Sequence, residues 1–103
     1  MHLYYFALAS TNFLMNEEPL EEILRERTNY YKSINKDIDF WFIKNPEFIH
    51  DNIILQKNTN ISYAAIVSSD KDFILWLKLR LGFVIIGEFK SQLNKKQIYT
   101  AIV

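Results

Sequence analysis

The chain contains no cysteine, which excludes disulfide frameworks, thiolate metal sites and cysteine nucleophiles. Two glycines and two prolines leave no room for a phosphate-cradling glycine loop, a collagenous repeat or a Pro-rich linker. An excess of either charge is also missing. Twelve Lys and Arg balance twelve Asp and Glu, so no basic field points to nucleic acid or to an anionic membrane. A surface near zero net charge is prone to associate with other molecules. No apolar run approaches the roughly 20 residues of a bilayer crossing. The opening MHLYYFALAS has no Lys or Arg ahead of its short apolar stretch, so a signal peptide is not expected.

What remains is the composition of a globular protein: half of the 103 residues are hydrophobic and 16% are aromatic, which excludes intrinsic disorder. The length suits a single domain, 1–103, with 91–103 as a variable tail. Phe, Tyr, Met, Ile, Asn and Lys make up 48 of the residues, a bias toward A/T-rich codons that points to an organellar or low-GC genome.

Leu3–Ser10 is apolar on both faces and reads as an interior strand. Asn16–Pro19 supplies a helix start, and Leu20, Ile23, Leu24, Tyr31 and Ile34 form the apolar stripe of the helix that follows. Glu21, Glu22, Arg25, Glu26 and Arg27 fall mostly on its wet side, and Asn35–Asp37 ends it. Ile38–Lys44 reads as a strand, Pro46–Gln56 as a short helix or irregular flap, Lys57–Ser62 as a loop and Tyr63–Ser68 as a buried strand. Ser69 with Asp72 has the capping-box form ahead of a helix that Gly82 stops as a left-handed cap. Phe83–Lys90 is a fourth strand, with Gly87 as a bulge or edge feature, and IYTAIV near the end suits a short extra strand.

This order is that of an α+β fold, the ferredoxin-like βαββαβ plait, a four-stranded antiparallel sheet with a variable segment between its second and third strands. The first and third strands take the centre, both helices cover one face, and the other face is left open or closed by a partner. The second helix carries more apolar surface than a sheet can cover. At 100° per residue, Phe73, Ile74, Leu77 and Leu81 share one arc, while Leu75, Trp76 and Leu79 form a second strip outside it. Cover by 46–56 or by the tail is one reading of that strip. The other is a protein-binding patch in which Trp76 and Arg80 are anchor types.

Signals for catalysis are weak. Glu47–His50 is a single E-x-x-H where a di-iron bundle needs two such pairs and two further Glu. Asp37, Asp39, His50 and Asp51 specify no coordination geometry, so no metal and no cofactor are expected. Two His offer no well-placed base for a nucleophile, and no catalytic residue is assigned. Asp39, beside Phe40 and Trp41 in a strand, reads as an edge charge that blocks aggregation or as a partner-facing salt bridge.

Four stretches, YYFALAS (4–10), EEPLEEILRERTNYY (17–31), IDFW (38–41) and AIVSSDKDFILWLKLRLGFVIIGEF (65–89), taken in order, carry a family resemblance. They closely resemble the small auxiliary subunit of the aerobic magnesium-protoporphyrin IX monomethyl ester oxidative cyclase, a hypothetical-chloroplast-reading-frame family of cyanobacteria and plastids. The resemblance implies a non-catalytic assembly factor in chlorophyll biosynthesis whose partner is the catalytic di-iron subunit. It implies a place in the plastid stroma or at the thylakoid periphery, or in the cytoplasm of a cyanobacterium. Ala9, Asp39, Phe40 and Arg80 match positions that the family suggests matter for the interaction, beside Trp76 and Leu79 from the helix geometry. The alternative is a tetrapyrrole carrier that uses an open, aromatic sheet face as its pocket.

Overall fold

A computed structural model of the protein describes residues 2–17, 20–44 and 62–92. Its elements are β1 (His2–Ser10), a π-helical turn (Phe13–Glu17), α1 (Leu20–Ser33), β2 (Phe40–Lys44), β3 (Tyr63–Ser68), α2 (Lys71–Leu81) and β4 (Ile85–Ser91). The strands form one antiparallel sheet in the order β2-β3-β1-β4. This is the plait topology expected from the sequence, with the two most apolar strands at the centre. The flap 46–56, residues 57–61, Glu47, His50, Asp51 and the extra strand in the tail lie outside the described residues.

Strand alternation divides the apolar residues between two faces. Ala7 and Ala9 of β1, Phe40 of β2, and Ala64 and Ile66 of β3 pack with Leu20 and Tyr31 of α1 and with Phe73, Ile74, Leu77 and Leu81 of α2. Small residues at Ala7, Ala9 and Ala64 let α2 approach the central strands closely. On the other face Tyr4, Phe6, Leu8, Trp41, Ala65 and Val67 form a second cluster. That face is not open: Tyr4 and Leu8 are each 1% exposed. Its aromatic rings interlock, with Tyr4 stacked on Phe89 at 5.6 Å and edge-on to Trp41 at 6.3 Å. Burial raises the Tyr4 pKa.

Several local details depart from the sequence reading; β4, for one, starts at Ile85 rather than Phe83. The cap of α2 is Asp70, one residue beyond Ser69; its Oδ1 accepts from the backbone N–H groups of Asp72 at 3.0 Å and Phe73 at 3.3 Å. Gly82, at φ 83° and ψ −60°, is the centre of a γ-turn closed by Phe83 N–H to Leu81 C=O at 3.0 Å, rather than a left-handed helical cap. Glycine adopts this positive φ without a Cβ clash. Of the two readings of Gly87, the edge one holds, since β4 is an edge strand, and the bulge does not, because β4 keeps its register with β1 from Ile85 to Ser91. Instead the Phe6 ring lies over Gly87, where a Cβ would come within 2.5 Å of it. Finally, β2 starts at Phe40, so Asp39 precedes the strand.

The end of α1 follows the sequence. Asn35, at φ 55°, takes the left-handed conformation and Lys36 N–H returns to Tyr31 C=O at 2.9 Å. Ile34 falls beyond the last helical turn and is half exposed.

Candidate docking surface

The inner arc of α2 is the one that helical geometry assigns: Phe73, Ile74, Leu77 and Leu81 are all buried. The second strip is not covered. Leu75 is 40% exposed, Trp76 48% and Leu79 85%. Lys78, which interrupts the apolar ring in the sequence, folds over the helix end to donate from Nζ to the carbonyls of Val84 at 2.7 Å and Gly82 at 3.2 Å, tying down the turn that follows the helix. Beyond the first turn, where Lys71 and Asp72 are exposed, the solvent-facing part of α2 consists of Leu75, Trp76, Leu79 and Arg80.

Between α1 and α2 runs a groove of about 570 Å³. Trp76, Phe73 and Arg80 line it from α2, and Glu22, Ile23, Glu26, Arg27 and Tyr30 from α1. Two carboxylates on one wall and an arginine on the other frame an aromatic floor. On the far side of α2, Leu75 and Ile86 share a smaller depression of about 180 Å³ beside β4.

Beneath the groove lies a polar network that joins four elements. The Asp39 carboxylate, 4% exposed, accepts from the Tyr31 hydroxyl at 2.9 Å and pairs with Lys36 Nζ at 3.6 Å. The Tyr31 hydroxyl in turn accepts from an Arg27 guanidinium nitrogen at 2.8 Å. That same nitrogen reaches Asp70 Oδ2 at 3.2 Å. The Asp39 carbonyl accepts from Ser68 Oγ at 2.9 Å and from Ser69 N–H at 3.2 Å. A buried carboxylate needs such partners, since desolvating it alone would cost several kcal/mol. Burial, and then the hydrogen bond and charge of Asp39, raise the Tyr31 pKa. For Lys36 burial pulls downward, but the Asp39 carboxylate and Tyr31 outweigh it and the pKa is raised.

Arg27 also packs against aromatic faces. Its guanidinium carbon lies 3.8 Å from the Phe73 ring centroid and 5.0 Å from that of Tyr31. Its Nε is buried with no hydrogen-bond partner among the described residues. Trp76 stacks on Phe73 at 6.2 Å with planes 19° apart.

The residues singled out in the sequence therefore separate into two groups. Trp76, Leu79 and Arg80 share the exposed part of α2. Ala9, Asp39 and Phe40 are buried: Ala9 beneath the helices, Phe40 edge-on to Tyr31 at 5.5 Å, and Asp39 inside the network. None of these three presents a surface to a partner, and Asp39 is neither an edge charge nor a surface salt bridge. Arg27, placed on the wet side of α1 by composition, is the residue that sequence reasoning missed. Its signal was available, because at 100° per residue it falls about 40° from Tyr31 and about 20° from Leu20, inside the apolar stripe.

Among the described residues no group of three or more His, Cys, Asp or Glu is placed to hold a metal ion. No described helix is long and apolar enough to cross a membrane.

Comparison with known proteins places these features in a family. The family model described as "Ycf54 protein" matches residues 2–91. An uncharacterized ycf54 protein of Porphyra purpurea is 56% identical over 96 residues, covering 91% of this chain and 89% of that protein. An Arabidopsis thaliana protein, named "Protein YCF54, chloroplastic", is 29% identical over 89 residues, covering 85% of this chain and 42% of that one. The solved structure of the Synechocystis sp. PCC6803 Ycf54 protein superposes with a TM-score of 0.78 at 43% identity, covering 92% of each chain.

Proposed function

We propose that this chain, which belongs to the Ycf54 protein family, is a non-catalytic assembly factor of the magnesium-protoporphyrin IX monomethyl ester oxidative cyclase in chlorophyll biosynthesis. In this reading it docks on the catalytic di-iron subunit, in the plastid stroma or at the thylakoid periphery, or in the cytoplasm if the host is a cyanobacterium. A chloroplastic name in one relative and a cyanobacterial source in another support the setting. The observation that carries the docking role is the uncovered strip of Leu75, Trp76 and Leu79 beside the α1–α2 groove, on a helix whose inner arc already completes the core. A large aromatic with an adjacent arginine at the centre of such a patch is the composition of an interface hot spot.

The alternative, a tetrapyrrole carrier, relied on an open aromatic sheet face. Tyr4, Leu8 and Trp41 are buried there, so the described residues leave no open aromatic face to support that reading. The test is co-purification with the catalytic subunit. Trp76→Ala and Arg80→Ala are expected to keep the fold and to weaken capture by tenfold or more, on the order of one hot-spot side chain. Wild-type capture by both variants would refute the docking face. Saturable quenching of Trp76 by a porphyrin, with capture unaffected, would restore the carrier reading.

A further inference from the structure

We infer that Arg27 is a positioning residue of the docking face: clamped by Tyr31 and Asp70, it holds Phe73, and through Phe73 the Trp76 indole, in the place where a partner meets it. The inference rests on the docking reading above and adds how that face is kept in shape.

Trp76 is half exposed, and a half-exposed side chain on a helix surface ordinarily samples several rotamers. Here its indole is stacked nearly parallel to Phe73. Phe73 itself is 3% exposed and is covered on its groove side by the Arg27 guanidinium at 3.8 Å. A planar, always-charged guanidinium suits such a contact, and lysine, a hydrated point charge, does not reproduce it. Arg27 is in turn fixed from two directions. The Tyr31 hydroxyl holds it from its own helix, and Asp70, which also caps α2, holds it from the other. Asp70 thus ties the start of α2 to α1 with the same carboxylate that satisfies two of its free N–H groups. Asp39 locks the Tyr31 hydroxyl, so the chain from Lys36 and Asp39 through Tyr31 to Arg27 ends on the aromatic pair in the groove. The guanidinium divides its contacts: Nη2 makes the hydrogen bonds to Tyr31 and Asp70, while the buried Nε has no hydrogen-bond partner among the described residues and the guanidinium carbon lies over the Phe73 and Tyr31 rings.

The experiment uses the full chain in a Trp41→Phe background, which leaves Trp76 as the sole indole and changes only the opposite sheet face. Arg27→Met keeps an apolar stem of similar length and removes the guanidinium. The expected result is a red-shifted Trp76 emission and stronger acrylamide quenching in a chain whose far-UV circular dichroism is unchanged. Capture by the catalytic subunit should then be weaker by about tenfold. An unchanged Trp76 signal in the folded variant overturns the inference whatever happens to capture. If Arg27→Met does not fold, Tyr31→Phe is read in the same way, because it keeps the guanidinium but removes one of its two anchors. Trp76→Ala separates the two claims. Normal capture by it and by Arg80→Ala defeats the docking reading, whereas weak capture by Trp76→Ala combined with normal capture by Arg27→Met defeats only the positioning role.

Discussion

Tyr31→Phe isolates the central link of the polar network with no change in packing. The ring stays in place against Phe40, and only an oxygen with two short hydrogen bonds is lost. One of these bonds is donated to the Asp39 carboxylate and the other is accepted from Arg27. Hydrogen bonds to charged groups contribute about 1.5–3 kcal/mol each. The side chain of Arg27 is a quarter exposed, so water can replace much of its loss. Asp39 is buried and, among the described residues, keeps only Lys36 at 3.6 Å as a charged partner, so its loss is felt nearly in full. The expected destabilisation is about 2–3 kcal/mol, a sizeable part of the roughly 5–15 kcal/mol that holds a domain folded. At about 4–8 °C per kcal/mol it lowers Tm by roughly 10 °C or more. Urea unfolding followed by circular dichroism measures it, with Tyr30→Phe on the exposed neighbouring ring as a control expected within about 0.5 kcal/mol. A double-mutant cycle with Asp39→Asn should show coupling of about 1 kcal/mol or more. A loss below about 0.5 kcal/mol, or strict additivity, would refute the claim that this oxygen holds the network together.

Two further outcomes follow from the same structure. Gly87→Ala drives a methyl group into the Phe6 ring, within 2.5 Å of its Cζ and 2.8 Å of its Cε2, and overpacking of this kind costs about 1–3 kcal/mol. Phe6→Leu in the same chain should recover part of that loss, and no recovery would count against a steric cause. On the alkaline side, folding raises the pKa of both Tyr31, from 10.0, and Lys36, from 10.5, so both groups hold their protons more tightly in the folded state. Their contribution is complete below the unfolded values and is lost as pH rises through the folded ones. Chemical stability should fall above about pH 10 more steeply in the wild type than in Tyr31→Phe, and parallel profiles would remove Tyr31 as a cause.

Periodicity carried most of the fold. Apolar residues on both faces of Leu3–Ser10 and Tyr63–Ser68 are legible as central strands because edge strands rarely bury both faces. The angular split of α2 into Phe73–Leu81 and Leu75–Leu79 arcs is pure helix geometry, and exposure follows it residue by residue. What the sequence hid depends on partners distant along the chain. Ser69 and Asp70 are equally good caps by type, and Asp70 takes the position while paired with Arg27, 43 residues earlier. Gly87 reads as a bulge or an edge feature, and nothing local tells that Phe6 from another strand lies across it. Asp39 looks like a strand charge until the Tyr31 hydroxyl meets it, although that hydroxyl is only eight residues away. Local pattern gives direction and period; it does not say which polar atoms will meet after the chain closes.

This division bears on how buried and exposed residues can serve one surface. An interface anchor contributes most when its conformation is set before the partner arrives, because freezing a side chain on binding costs about 0.5–1.5 kcal/mol. Leu79, 85% exposed with no described ring against it, pays that cost in full on docking. Trp76 does not, because Phe73 holds its ring and Arg27 holds Phe73. A substitution at Tyr31, which is buried and does not line the groove, should therefore weaken docking without removing any atom that touches the partner, and it should do so through Trp76 rather than through Leu79. In a Trp76→Ala chain the added effect of Arg27→Met on capture should shrink toward zero, whereas in a Leu79→Ala chain it should persist. Equal effects in both backgrounds would mean that Arg27 acts on the stability of the whole domain and not on the shape of its docking face.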